Sequence, residues 1–332
     1  MASTQKRVRF FAHLATIALF SSCFAAYATG TVTGPAASPN DLIAGGQYQL
    51  AADTLVQMLH DLPVSGQQDE NSAALMCNLG VAYEKLGRYV EAEATLAKAI
   101  QIYKDLGITA GLSYGRALNN LANVYLSEKR YAKSEQMFKD TLALYRNQLP
   151  ENDQDIALIL NNLGLTRLSV GDFAHAEQYF RESLALQRKL KDDTHRLAVT
   201  LNNIALACKH AGRLGEAARI YAQAIEVWRN TAGSSHPEVA VGLHNLASLE
   251  TVMGQDDAAE KHFQEALSIV DATLPPDHPN RTAIMSGYAD LLLKMGRKRQ
   301  AKQLQASART LRARHNHENF QDLTVDVRSL EH

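Results

Sequence analysis

Apolar residues recur along this chain at helical spacing, in blocks, and the blocks themselves recur. Around residue 120, Leu118, Leu121, Ala122 and Tyr125 fall on one side of a helix at 100° per residue, with polar residues between them. The phrase Leu118-Asn119-Asn120-Leu121-Ala122 returns as Leu160-Asn161-Asn162-Leu163-Gly164 and as Leu201-Asn202-Asn203-Ile204-Ala205. Weaker copies stand at Met76-Cys77-Asn78-Leu79-Gly80 and Leu243-His244-Asn245-Leu246-Ala247. The second Asn is at 78, 120, 162, 203 and 245, giving steps of 42, 42, 41 and 42. A stride of this size predicts an array of supersecondary units, each packed on its neighbours.

Each stride holds two helical patterns. The first carries the Asn phrase and a small residue in its apolar stripe: Gly80, Ala122, Gly164, Ala205, Ala247 and Ala289. A turn follows, in the forms Gly87-Arg88-Tyr89, Lys129-Arg130-Tyr131, Gly171-Asp172-Phe173, Gly212-Arg213-Leu214, Gly254-Gln255-Asp256 and Gly296-Arg297-Lys298. Gly at such a place predicts a left-handed helix cap. The second pattern has a small residue at Ala51, Ala92, Ser134, Ala176, Ala217, Ala259 and Ala301. A large one stands four positions later, at Leu55, Leu96, Phe138, Phe180, Tyr221 and Phe263. Small and large groups one turn apart predict antiparallel helices that interdigitate. Pro237 and Pro279, each after a His, suit a first helical turn.

These residues resemble the tetratricopeptide repeat family. The 42-residue spacing, the Leu-Asn-Asn-Leu-Ala phrase, Tyr89-Val90-Glu91-Ala92-Glu93 and the entry His236-Pro237-Glu238-Val239-Ala240 look like the kinesin light chain type. The resemblance implies an all-α, tetratricopeptide-type helical-hairpin solenoid, a right-handed superhelix. It spans 40–314, with a partial repeat at 40–60 and six repeats over about 72–314. The sequence departs from the pattern at Arg167 and Glu250, which replace the Tyr seen at Tyr83 and Tyr125. The last repeat has Gly287 for Asn and Gln305 for the aromatic residue, as a polar terminal cap would.

Opposite the core stripe lies a second helical face, expected to line the concave side of the stack. It comprises Asn78 in the first full repeat and Arg116, Asn119, Asn120, Asn123 and Leu126 in the next. Leu158, Asn161, Asn162, Leu165 and Leu168 continue it, then Val199, Asn202, Asn203, Leu206 and Lys209, then Val241, His244, Asn245 and Ser248. The helix from Ile156 to Leu168 is apolar nearly all round, which calls for burial on both sides or a partner on one. An Asn side chain both donates and accepts, so it can pair with an extended peptide. The resemblance implies that role for Asn78, Asn120, Asn162, Asn203 and Asn245. The alternative is that each amide bonds the neighbouring repeat and fixes the stacking angle. A Lys-rich clamp for a terminal carboxylate is not evident, since Cys77 and Val81 occupy its places.

Composition narrows the rest. Hydrophobic content of 46% supports a folded core, and a net charge of −1 gives no footprint for nucleic acid. Lys6, Arg7 and Arg9, the apolar run from Phe10 to Phe20 and the exit Ala26-Tyr27-Ala28 read as a secretory signal over 1–28. Cleavage would leave 31 basic and 35 acidic residues, about −4. Two rivals are a lipid on Cys23 and an uncleaved anchor over Phe10 to Ala28; all three put the repeats outside the cytoplasm, periplasmic or extracellular. Residues 29–39 read as a linker and 315–332 as a polar tail, expected flexible with one extended stretch at Leu323–Val327 and able to lie in the chain's own groove. Cys77 and Cys208 are three repeats apart and read as packed thiols.

No Gly-rich phosphate loop, HExxH, CxxC or GxSxG is present. His195, His236 and His278 recur one per repeat, which reads as loop capping rather than metal ligation. Arg88, Arg130, Arg213 and Arg297 read as solvated edge residues, and His210 and His244 as groove residues. The expectation is therefore a non-enzymatic, exported scaffold with a protein or peptide partner, no cofactor, no metal, no nucleic acid and no membrane span in the mature chain. The alternative is an envelope assembly component acting through its repeat ends or tail.

Overall fold

The computed structural model describes residues 38–63, 68–150, 153–190 and 194–321. Residues 1–28, read as a secretory signal, residues 29–37 of the expected linker, and Leu323–Val327 lie outside the described residues. Ser38 and Pro39, placed in the linker by sequence, are the cap and first residue of a helix; Asp41 N donates to Ser38 Oγ at 3.2 Å.

Among the described residues there are fourteen helices and no strands. Two compact units divide at residue 192. The first unit begins with a short hairpin, α1 (Pro39–Ala44) and α2 (Tyr48–His60). It continues with α3 (Glu70–Lys85) and α4 (Tyr89–Asp105), α5 (Leu112–Ser127) and α6 (Tyr131–Gln148), α7 (Gln154–Ser169) and α8 (Phe173–Leu190). The second unit holds α9 (Thr194–His210) and α10 (Leu214–Ala232), α11 (Pro237–Met253) and α12 (Asp256–Thr273), α13 (Pro279–Lys294) and α14 (Lys298–Gln321). Helix α14 runs past His315, where sequence starts the tail. In each unit the first helix of a repeat packs on its hairpin partner and also on the first helix of the next repeat, α3 on α5 on α7 and α9 on α11 on α13.

The hairpin turns share one geometry. Gly87, Gly171, Gly212, Gly254 and Gly296 have φ between 74° and 83°. The next N–H then reaches back five residues to cap the helix, as in Arg88 N to Tyr83 O at 2.9 Å and Arg297 N to Leu292 O at 2.8 Å. Lys129 holds the same left-handed place with φ 62° and makes the same cap, Arg130 N to Tyr125 O at 2.7 Å. A side chain there costs about 1–2 kcal/mol, against about 0.5–1 kcal/mol for the looser unfolded chain that glycine gives. Lys129→Gly is therefore expected to stabilise the first unit by about 0.5–1 kcal/mol, read as a rise in its melting temperature.

The interdigitation predicted from sequence is present. Ala51, Ala92, Ser134, Ala176, Ala217, Ala259 and Ala301 are fully buried, and so are Leu55, Leu96, Phe138, Phe180, Tyr221 and Phe263. The small residues of the first helices face those large groups. A Cβ on Gly80 would stand 2.4 Å from Leu96 Cγ, and one on Gly164 2.4 Å from Phe180 Cε1. Cys77 and Cys208 are buried free thiols, and burial pushes Cys77 up to about 12.

Candidate functional site

The Asn phrase puts two amides side by side on a helix, and 100° separates them. At two places such an amide bonds to the neighbouring repeat. In the first unit, Asn162 Nδ2 donates to Asn119 Oδ1 at 3.3 Å. In the second, Asn245 Nδ2 donates to Asn202 Oδ1 at 2.9 Å. Both bonds join the first Asn of one repeat to the second Asn of the following one, 43 residues on, and all four residues are buried. For Asn162 and Asn245 the amide thus ties repeats together, and the role of holding a ligand's main chain does not fall to that donor.

The same register continues with different residues. His244 holds the first place in its repeat and Gly287 the second place in the next. His244 is buried, stacked edge-on against Phe263 with centroids 5.8 Å apart, and its Nδ1 has no hydrogen-bond partner. A Cβ on Gly287 would lie 2.9 Å from His244 Cε1. An imidazole against a bare glycine therefore replaces the amide pair, which explains the Asn missing from the last repeat. Burial first, and then the nearby charge of Lys209, push His244 down to about 4, and His210 likewise. Burial lowers Lys209 to about 8.

The other predicted residues divide by exposure. Leu126, Leu165, Asn203 and Leu206 are buried, and most of the apolar surface of α7 is covered by the protein itself. In the first unit Leu158 remains 40% exposed, with Arg116 also exposed and Asn78, Asn120, Asn123, Asn161 and Leu168 half-buried. Arg116 lies 3.9 Å from Asp155 at the start of the next repeat. Asn120 Oδ1 accepts from Asn119 at 3.4 Å. The amides of Asn78 and Asn123 have no hydrogen-bond partner among the described residues. In the second unit Val199, Lys209, Val241 and Ser248 are half-buried.

A second set of inter-repeat contacts was not anticipated. Glu93, Glu135 and Glu260 recur on the second helices at the repeat stride. Tyr125 Oη donates to Glu93 at 2.9 Å, and Arg130 donates to the same carboxylate at 2.5 Å while lying 4.2 Å over the Tyr125 ring. Tyr288 and Arg297 meet Glu260 at 2.6 and 2.5 Å. These hydrogen bonds, Tyr288 first and then Arg297, hold the Glu260 carboxyl below its usual range. Arg130 and Arg297 are thus inter-repeat ties rather than solvated edges, whereas Arg88 and Arg213 pair with Glu91 and Glu216 on their own helices. Arg167 takes over where Tyr and the turn Arg are both missing, pairing with Glu135 and, at 3.3 Å, with Asp172. Glu250, at the other departure, meets His262 Nδ1 at 2.7 Å. The recurrence of Glu at this stride was the available signal.

His236 and His278 cap α11 and α13: their Nδ1 atoms accept from Glu238 N at 3.4 Å and Asn280 N at 3.1 Å. The side chain of His195 lies outside the described residues. Among the described residues no helix is long and apolar enough to cross a membrane.

Comparison with known proteins agrees with this architecture. No curated protein matches the chain. Among solved structures, BtubC (BKLC) from P. vanneervenii is 20% identical, with a TM-score of 0.56, over 70% of this chain and 92% of that one. A Podosopora anserina kinesin light chain protein with nearly identical TPR-like repeats is 21% identical, with a TM-score of 0.52, over 61% of this chain and 96% of that one. Rap protein complexed with competence and sporulation factor is 13% identical, with a TM-score of 0.61, over 83% of this chain and 73% of that one. The tetratricopeptide repeat model matches residues 71–147, 113–189, 155–230, 196–270 and 238–314. This repeat fold supports a protein–protein interaction scaffold, and proteins built from it are generally non-enzymatic. With overlapping matches from residue 71 to 314, the chain belongs to the tetratricopeptide repeat family.

Proposed function

We propose that the chain is an exported, non-enzymatic scaffold that holds a segment of another protein along the first helices of its repeats. One observation carries this reading. Leu158 is 40% exposed on a helix whose other large apolar residues are nearly all covered, and it shares its unit with Asn78 and Asn123, whose amides have no partner among the described residues. An exposed apolar group and open amides on successive first helices suit an extended peptide, whose main chain needs both donors and acceptors. Each amide bond nets about 0.5–1.5 kcal/mol, so the apolar contact must supply much of the affinity. The Rap structure, solved with competence and sporulation factor, is a precedent for a partner bound to this fold. The amino-terminal pattern of Lys6, Arg7, Arg9 and the apolar run after them supports export.

The test is selection of a random peptide library displayed on phage against the full chain. Peptides so enriched are expected to bind at least about tenfold more weakly to a Leu158→Glu, Asn123→Ala variant, a loss of about 1.4 kcal/mol or more. Enriched peptides that bind both proteins equally would contradict the proposal.

A further inference from the structure

Among the described residues, charge is sorted between the first helices and the last, although the total for the chain is −1. Between residue 38 and Glu84 there are six carboxylates and no Lys or Arg. Between Leu291 and Ala313 there are seven Lys and Arg and no Asp or Glu. Two of those seven have acidic partners on the preceding repeat, Lys294 with Asp256 and Arg297 with Glu260. The other five, Lys298, Arg299, Lys302, Arg309 and Arg312, are exposed and have no acidic partner among the described residues.

Their placement makes one surface. Helix α14 buries Ala301 and Ala308. At 100° per residue Lys298, Lys302, Arg309 and Arg312 fall within about 80° of one another on an adjoining side. The stripe is about 21 Å long, at 1.5 Å per residue. Like charges one turn apart, as at Lys298 and Lys302, repel each other and weaken the helix that carries them. An acidic partner would reverse that penalty.

The chain's first helices offer such a partner. On α2, Leu50, Asp53 and Gln57 lie on the side opposite the buried Leu55, and Asp61 follows at the helix end on the same side. Leu50, on that side, is 52% exposed, and Val56 and Met58 are exposed on its two flanks. A terminal unit normally turns a polar face outward. Exposed apolar groups among carboxylates fit a face that is covered by something basic.

We propose that this protein associates head to tail, the acidic and apolar outer side of α2 in one copy meeting the basic stripe of α14 in a second copy. In this proposal each copy uses its two patches on two different neighbours, so association continues past two copies into chains. The proposal is independent of the peptide-binding reading, because none of its residues is among those assigned to peptide.

The test is sedimentation velocity on the full chain. At about 0.01 M salt the screening length is about 30 Å, and the wild type is expected to grow beyond the dimer with concentration; at about 1 M salt it should return to monomer. Two variants remove one patch each: Asp53→Asn with Asp61→Asn, and Lys302→Gln with Arg309→Gln. Each alone should remain monomeric at low salt. Mixed, they retain one intact acidic patch and one intact basic patch between them, and should form a dimer that grows no further. A monomeric wild type at low salt, continued growth of either variant, or a mixture that stays monomeric would overturn the proposal. So would a monomeric wild type that instead sediments with vesicles of anionic phospholipid and loses this in the Lys302→Gln, Arg309→Gln variant; the stripe would then face lipid headgroups.

Discussion

Gly287→Asn, the substitution that restores the family's phrase in the last repeat, is expected to destabilise the second unit by about 1–3 kcal/mol, the usual cost of overpacking. The reason is local. Its Cβ would stand 2.9 Å from His244 Cε1 and 3.0 Å from Phe263 Cε1. Combined with His244→Asn, the same substitution should recover much of that loss. One repeat earlier, with Tyr221 in the place of Phe263, Asn202 and Asn245 bond at 2.9 Å, so the backbone geometry accepts the amide pair. Chemical unfolding of the two single variants and the double variant forms a cycle, and a coupling of about 0.5–3 kcal/mol is expected between the sites. No coupling would mean that His244 and Gly287 do not share the register described.

His244 gives that cycle a second readout. Its folded pKa is depressed to about 4, below the ordinary 6.5, because burial and the Lys209 charge disfavour the imidazolium. The unfolded chain therefore binds this proton first as pH falls. Stability is unaffected above about 6.5 and declines from there down to about 4, by up to about 3 kcal/mol for this group. His210, pushed in the same direction, adds to the decline. The wild type should lose more stability between neutral and acid pH than the His244→Asn variant. Equal losses would show that His244 protonates as readily in the folded protein as in the unfolded one.

Ala176→Leu is expected to cost the first unit about 1–3 kcal/mol. Ala176 is fully buried one turn before Phe180, and the Phe180 ring already fills the space left by Gly164. A side chain added at 176 has no void to enter and must displace a helix. Thermal unfolding by circular dichroism reads the effect. Val90→Leu serves as control, because Val90 is 78% exposed on α4 and should tolerate the change. An unchanged melting temperature for Ala176→Leu would mean that the hairpins are more loosely packed than their burial indicates.

The repeat, its helical hairpins and its interdigitating residues were legible because each recurs at one stride, and every repeat must solve the same packing problem. The direction of individual amides was not. Adjacent Asn residues lie 100° apart, and pattern alone does not say which of them a neighbouring repeat covers; Asn202 and Asn203 are both buried. Burial assigned Asn119 and Asn162 to each other, and Asn202 and Asn245 to each other. The apolar girth of α7 likewise predicted a larger open patch than exists, since Leu165 turns into the protein and Leu158 is left outside. Arg167 was readable only as a departure from Tyr. Its purpose emerges when Glu135 and Asp172 are seen on either side of it.

The most direct test of the scaffold reading places a benzophenone photo-crosslinking residue at position 158 in one sample and at position 90 in another, each with a library-selected peptide bound. Attachment of the peptide at 158, on a first helix, and not at 90, on a second helix, is the expected result. Attachment at 90 alone, or equally at both, would contradict a partner held along the first helices.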